Sequence, residues 1–119
     1  MDKRNDLTDA EVLALERLLR VSRELREISR TFPVSFIETF ATVALHPGHG
    51  PFEYAKRLET IPPIASKALS KLGERGRREE DPYGLLTPRD DPQDTRKVNY
   101  FLSSKGKSMV KKLAKAMGT

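Results

Sequence analysis

A long helical repeat of apolar residues opens the chain. Thr8 and Glu11 have the spacing of a capping box, in which each residue's side chain bonds to the other's backbone N–H. The apolar residues that follow recur every three or four positions, as on one face of an α-helix: Ala14, Leu18, Val21, Leu25, Ile28 and Phe32. We therefore predict a helix over residues 8–32.

The predicted first helix is long for a chain of 119 residues. Its apolar stripe exceeds what so short a chain is expected to cover, so we interpret part of it as a dimer face. The alternative is a helix buried in the core of a single chain. The residues assigned to the dimer interface are Leu18, Val21, Leu25 and Ile28.

A second helix begins at Pro33, which suits a first helical turn because its missing N–H is not needed there. The residues that follow, up to Leu45, are apolar on almost every side, which predicts a buried central helix. A turn with both histidines of the chain, His46 and His49, ends it. No cysteine or carboxylate cluster lies beside them in the sequence, so we prefer an exposed turn to a metal site.

Two short helices with a three-residue turn come next. The first covers 52–58, the turn is 59–61, and Pro62 begins a second helix over 62–75. This arrangement predicts a helix-turn-helix. Residues 83–87 and 96–102 then have strand-like composition around a polar tip, which predicts a β-hairpin over 83–102.

The last predicted element is a C-terminal helix over 104–117, capped by Ser103 or Ser104. The order of elements predicts a mostly α (α+β) fold in a single domain, 1–119. No apolar run is long enough to span a membrane, and no apolar stretch follows the N-terminus as in a signal peptide. We therefore expect a cytoplasmic protein with no membrane partner.

The amino-acid composition excludes several classes of protein. The chain has no cysteine, which excludes a disulfide scaffold, a cysteine zinc site and a thiol enzyme. It also has no glycine-rich phosphate loop and no carboxylate pair beside a base, so we expect neither an enzyme nor a cofactor.

The positive charge is concentrated in one part of the sequence. Residues 1–51 hold 7 Lys+Arg against 8 Asp+Glu, a balance of −1, whereas residues 52–119 hold 15 against 9, a balance of +6. This asymmetry indicates an anionic partner that contacts one part of the chain. A solvated basic surface is the alternative.

Three matches between residues 34 and 117 follow the motifs of one known family. Tyr54-Ala55-Lys56-Arg57-Leu58 is similar to an L-A-x-x-L helix. Ile64-Ala65-Ser66-Lys67, with Leu69, Leu72 and Arg75-Gly76, is similar to a recognition helix, T-V-S-R-x-x-x-x-L-x-x-R-G. Asp91-Pro92-Gln93-Asp94-Thr95-Arg96 and Leu102-Ser103-Ser104-Lys105-Gly106 are similar to a wing and the start of the next helix. Together these residues resemble the MarR (multiple antibiotic resistance regulator) transcription factors.

The resemblance implies a winged helix-turn-helix over 33–104 that follows the dimerisation helix at 8–32. Three departures stand out. Glu59 replaces the usual glycine of the turn, which predicts a different turn or a strained residue. Ile61 replaces the usual Ser or Thr cap, and segment 77–90 is longer than usual.

We expect a homodimeric, sequence-specific regulator that binds a pseudo-palindrome in double-stranded DNA, associated with the nucleoid. The helix over 62–75 would enter the major groove, and the hairpin over 83–102 would lie on the minor groove, with Arg96 inserted. The candidate base-facing residues are Pro63, Ser66, Lys67 and Ser70. The candidate phosphate contacts are Lys71, Lys56 and Arg57, and the wing adds Arg89, Arg96 and Lys97.

Two alternatives remain from the sequence: an architectural or accessory DNA-binding protein with weak sequence preference, and a winged helix that binds other proteins. The sequence names no small-molecule effector.

Overall fold

The elements follow the predicted order in a computed structural model, which describes residues 6–73 and 83–119. Within those residues the fold is mostly α with one antiparallel β-hairpin, as predicted. The elements are α1 (Asp9–Arg26), α2 (Val34–Leu45), α3 (Pro51–Arg57), α4 (Pro62–Leu72), β1 (Leu86–Asp90), β2 (Val98–Leu102) and α5 (Ser104–Ala116). Helix α4 ends at Leu72, with Gly73 as its C-cap in extended backbone, and does not continue to Arg75 as predicted. The predicted connector that follows Gly76, residues 77–82, lies outside the described residues.

Helix α1 begins with the predicted capping box. The Thr8 N–H donates to Glu11 Oε1 at 2.8 Å, and the Glu11 N–H donates to Thr8 Oγ1 at 3.1 Å. The helix ends at Arg26 rather than continuing to residue 32. Pro33 explains part of this difference, because a proline disfavours helical backbone in the residue before it. Pro33 is itself the N-cap of α2, with ψ of 147°, and not a first-turn residue as predicted.

The apolar stripe of α1 divides into two parts. Leu25 is only 7% exposed, and Ile28 and Phe32 fold back against the core of the same chain. Leu18, by contrast, is 60% exposed. Leu25 and Ile28, assigned from the sequence to a dimer face, are therefore largely covered within the protomer, because the chain turns after Arg26 and brings them to its own core.

Helix α2 buries one face and not its whole circumference. Phe40 and Val43 are in the core, whereas Val34 and Leu45 at its two ends are exposed, which corrects the prediction of an all-round buried helix. The core joins α2, α3, α4, the hairpin and α5 through Phe40, Val43, Tyr54, Leu69, Leu72, Leu85, Leu86, Tyr100 and Met109. Full burial of one such aliphatic side chain contributes about 1.5–3 kcal/mol.

The histidine turn is held to the core by Tyr54. Its hydroxyl donates to the His46 carbonyl at 2.6 Å and accepts from the His49 N–H at 3.3 Å. Burial raises the pKa of this phenol. Within the described part of the chain, no three His, Cys, Asp or Glu side chains are grouped as metal ligands would be.

Strand β1 begins at Leu86 and includes Pro88, Arg89 and Asp90, which the sequence placed in the tip. Pro88 lies opposite Tyr100, whose N–H donates to the His49 carbonyl and whose carbonyl accepts from the Gly48 N–H. Tyr100 thus directs its backbone groups away from Pro88, so a proline without an N–H fits there. The hairpin is two-stranded and antiparallel, as predicted.

Ser103 is the cap of α5, one of the two predicted possibilities. Its hydroxyl accepts from the Gly106 N–H at 3.0 Å and donates to the Gly84 carbonyl. This double contact fixes the start of α5 against the residues that precede β1. No helix among the described residues is both long and apolar enough to cross a membrane.

Candidate nucleic-acid interface

The turn between α3 and α4 depends on Glu59, which has a φ of +55° in the left-handed region. This is the position at which we predicted a different turn or a strained residue. The next residue closes the turn, because the Thr60 N–H donates to the Ala55 carbonyl at 2.9 Å. Ala55 is buried where the two helices meet, and its small side chain permits their close approach.

Helix α4 has a buried face and an outward face. Ala65, Ala68, Leu69 and Leu72 are buried, at the spacing of one helical side. The four predicted base-facing residues share the outward side: Pro63 and Lys67 are exposed, and Ser66 and Ser70 are half-buried. The structure therefore brings these four residues together on an accessible surface.

A groove of about 600 Å³ runs along this outward side. The residues from α4 that line it are Pro63, Ser66, Lys67, Ser70 and Lys71, and the opposite wall consists of Thr31, Pro33, Phe36 and Tyr83. The Lys71 ammonium lies 5.7 Å from the centre of the Tyr83 ring. Lys71, predicted to contact phosphate, is thus held at the groove wall by a cation–π contact.

Two apolar residues at the start of α4 were not among the predicted site residues. Ile61 is 57% exposed and Ile64 is 54% exposed. Ile64 lies three positions before Lys67 and off the buried side, so the helical spacing of Ala65, Leu69 and Leu72 could have identified it. Ile61 is the N-cap and makes no side-chain capping bond, as its identity predicted.

Helix α3 presents both of its predicted phosphate contacts to solvent. Lys56 and Arg57 are exposed. The Arg57 Nε lies 2.9 Å from Glu53 Oε2, four residues earlier in the same helix. Such a surface pair contributes about 0.3–0.5 kcal/mol, so it positions Arg57 only weakly.

The wing tip, residues 91–97, is held by two aspartates. Arg96 Nε donates to Asp94 Oδ1 at 3.1 Å, and its terminal Nη2 donates to Asp94 Oδ2 at 3.3 Å. These bonds lower the pKa of Asp94. The pKa of Asp91 is also lowered. The hydrogen bond from the Gln93 N–H is the largest cause, and the hydrogen bond from the Asn99 side-chain amide is the next. Asp94 therefore orients the Arg96 guanidinium through two hydrogen bonds.

The three wing cations differ in their surroundings. The Arg96 side chain is 90% exposed despite its pair with Asp94. Lys97 is also exposed. The Arg89 guanidinium lies 4.7 Å from the centre of the Phe101 ring, on one face of the hairpin. Arg96 thus combines two bonds to Asp94 with an open surface at the tip.

A helix-turn-helix followed by a charged hairpin and a further helix defines a winged-helix protein. No protein-family model matches the sequence, and no curated protein sequence matches it either. Solved structures do match. The S. aureus MepR–DNA complex superimposes with a TM-score of 0.71 at 22% identity, over 90% of this chain and 80% of that chain.

Two further structures give the same result. Transcriptional regulator Tm0710 from Thermotoga maritima has a TM-score of 0.62 at 21% identity, over 88% of this chain and 73% of that one. MarR has a TM-score of 0.61 at 15% identity, over 88% and 69%. At these identities the likeness establishes the fold: the chain has the MarR-type winged-helix fold that its motifs predicted.

Proposed function

We propose that the protein is a DNA-binding transcriptional regulator that acts without catalysis. The observation that carries the proposal is the outward side of α4, where Pro63 and Lys67 are exposed. A helix with one buried and one open side fits the major groove and places its N-terminal side chains near base edges. The fold is shared with a protein solved in complex with DNA, MepR.

The wing supplies the second part of the proposal. Arg96 enters the minor groove, where narrow A·T-rich segments attract arginine. Its two bonds to Asp94 favour one orientation of the guanidinium before DNA arrives, which reduces the entropy lost on binding. Lys56, Arg57, Lys97 and the other surface cations named above contact phosphates and set the register on the duplex.

The proposed active form is a homodimer that binds a pseudo-palindrome. A two-fold dimer places two α4 helices at half-sites about one helical turn apart. Of the four residues predicted for the dimer face, Leu18 is exposed and Val21 is half-buried, so this end of the stripe remains available for the contact. Because the target is chromosomal DNA, a cytoplasmic, nucleoid-associated location is part of the same proposal.

Two substitutions test the assignment of the DNA contacts. The preferred duplex is first selected from a random pool, and affinity of the full chain is then measured by fluorescence anisotropy at fixed salt. We expect Lys67→Ala to cost about 1–3 kcal/mol on the selected duplex and to relax preference at one position. We expect Arg96→Ala to weaken binding to most sequences. Lys107→Ala, an exposed α5 lysine of equal charge, is the control.

Unchanged affinity in both variants would contradict the residue assignments. A chain that binds random and selected duplexes equally would instead be an architectural DNA-binding protein. The short side chains of Ser66 and Ser70 are compatible with that alternative. A chain that binds no duplex, with no salt dependence, would be a protein-interaction module.

A further inference from the structure

The first turn of α4 presents apolar side chains to solvent. Ile61, Pro63 and Ile64, which we name the apolar tip, are all exposed. Leu69 and Leu72 of the same helix are fully buried. The tip residues therefore lie outside the core, and more than half of the surface of each isoleucine stays in water unless a partner covers it.

The backbone of this turn offers a partner few hydrogen bonds. Pro62 and Pro63 have no N–H. The N–H groups of Ile64 and Ala65 both donate to the Ile61 carbonyl, at 3.0 and 3.1 Å. The usual phosphate contact of a helix N-terminus is thus missing, and what this end of α4 offers is apolar contact.

The neighbours of the tip indicate what covers it. Lys67 lies one turn further along on the same side as Pro63 and Ile64, and Ser66 is beside it. An apolar protein partner would bury that ammonium without a counter-charge, which is costly. The DNA major groove satisfies both requirements, because it combines phosphates and polar base edges with one apolar group, the C5-methyl of thymine.

We propose that the apolar tip recognises thymine methyl groups, so that Ile64, with Pro63 and Ile61, adds apolar contacts to the specificity that Lys67 provides. The inference rests on the proposed function, since it requires α4 in the major groove. It adds Ile61 and Ile64 to the base-facing residues assigned from the sequence, and it adds a stated base preference: thymine in each half-site, next to the base or phosphate that Lys67 contacts.

A double-mutant cycle tests the inference with the full chain. In the selected duplex each thymine is replaced, one at a time, by deoxyuridine, which lacks only the C5-methyl. Affinity is measured for the wild type, for Ile64→Ala and for Leu45→Ala. Leu45 is the matched control, since it is 75% exposed at the end of α2, outside the helix-turn-helix.

We expect the wild type to bind about fourfold more weakly per critical thymine methyl removed, from roughly 0.8 kcal/mol per buried carbon. Ile64→Ala loses this discrimination at one position or more per half-site, and Leu45→Ala retains it. Equal wild-type affinity for thymine and deoxyuridine duplexes overturns the inference and leaves the regulator proposal standing. Equal loss of discrimination in both variants also overturns it, and absence of duplex binding overturns both.

Discussion

At the scale of single residues, Glu59 supports the helix-turn-helix in a conformation that suits glycine better. Its φ of +55° costs an L-residue about 1–2 kcal/mol. We expect Glu59→Gly to stabilise the fold by up to about 1 kcal/mol, because the relieved strain exceeds the roughly 0.5–1 kcal/mol of added freedom in the unfolded chain. Urea denaturation measures the change. Glu59→Ala keeps the strain and is the control, and a glycine variant less stable than wild type would contradict the argument.

Gly106 is required for a different reason from the one at Glu59. The lack of space beside its Cα, and not its φ, excludes a larger residue. A Cβ at this position would lie 2.1 Å from the Leu85 carbonyl oxygen, which is backbone and cannot move aside easily. Alanine favours helices over glycine by about 1 kcal/mol, but this clash outweighs that preference. We therefore expect Gly106→Ala to destabilise the protein by about 1–3 kcal/mol in thermal or urea unfolding.

The matched control for Gly106 is Ser108→Ala on the exposed side of the same helix, for which we expect a change within about 0.5 kcal/mol. A Gly106→Ala variant as stable as that control would show that α5 shifts away from Leu85 at no cost. The close approach would then have no energetic role.

At the scale of elements, the sequence predicted the order of helices and strands but not all of their ends. Local patterns identified the capping box at Thr8 and limited the cap of α5 to Ser103 or Ser104, because both caps bond to residues three positions away. The early end of α1 depends on distant contacts, since Ile28 and Phe32 pack on the core. The strand position of Pro88 likewise depends on the backbone bonds of Tyr100, which no local pattern reveals.

The candidate site was predictable to a similar extent. The motif spacing identified Lys67 and Pro63, and both are exposed. The tilt of Lys71 toward Tyr83 requires the groove wall, which is assembled from separate parts of the chain. Ile61 and Ile64 were missed because apolar residues in or beside a short helix are usually assigned to the core. The helical spacing of the buried residues could have identified Ile64, whereas the exposure of Ile61 is known only from the packed structure.

The wing tip provides a prediction about pH. Asp91 and Asp94 have lowered pKa values because their ionised forms accept hydrogen bonds. A carboxyl whose folded pKa is below its unfolded value stabilises the tip at pH above about 3.9, and this contribution is lost as the pH falls through the lowered folded pKa. We expect NMR titration to show both carboxyls below the ordinary aspartate value, with the Gln93 and Arg96 amides shifting in step.

An Asp94→Asn variant is the control for that titration. It removes the ionisable group but keeps the shape, so the Arg96 amide no longer follows an acidic transition while the Gln93 amide still follows Asp91. Titration of Asp91 and Asp94 at or above the ordinary value would show that the tip bonds do not persist in solution.

At the scale of the whole molecule, the described chain is elongated, with extents of 63 × 27 × 25 Å. Helix α1 lies against α5, where Arg20 Nε donates to the Ala116 carbonyl at 3.1 Å. The remaining surface of α1 carries a cluster of exposed leucines: Leu13, Leu15, Leu18 and Leu19. Of this leucine cluster, Leu18 is the residue that the sequence analysis assigned to a dimer interface.

The leucine cluster therefore supports a prediction about assembly. Burying one leucine contributes about 1.5–3 kcal/mol, and a two-fold interface contains Leu18 twice. We expect Leu18→Glu to raise the dimer dissociation constant by about 100-fold or more, in sedimentation equilibrium. It also reduces affinity for a two-half-site duplex to that for one half-site. Leu45→Glu, exposed elsewhere, leaves both unchanged. A wild-type chain that sediments as a monomer, or a Leu18→Glu dimer of full strength, would remove α1 from the interface and with it the geometric reason for a pseudo-palindromic site.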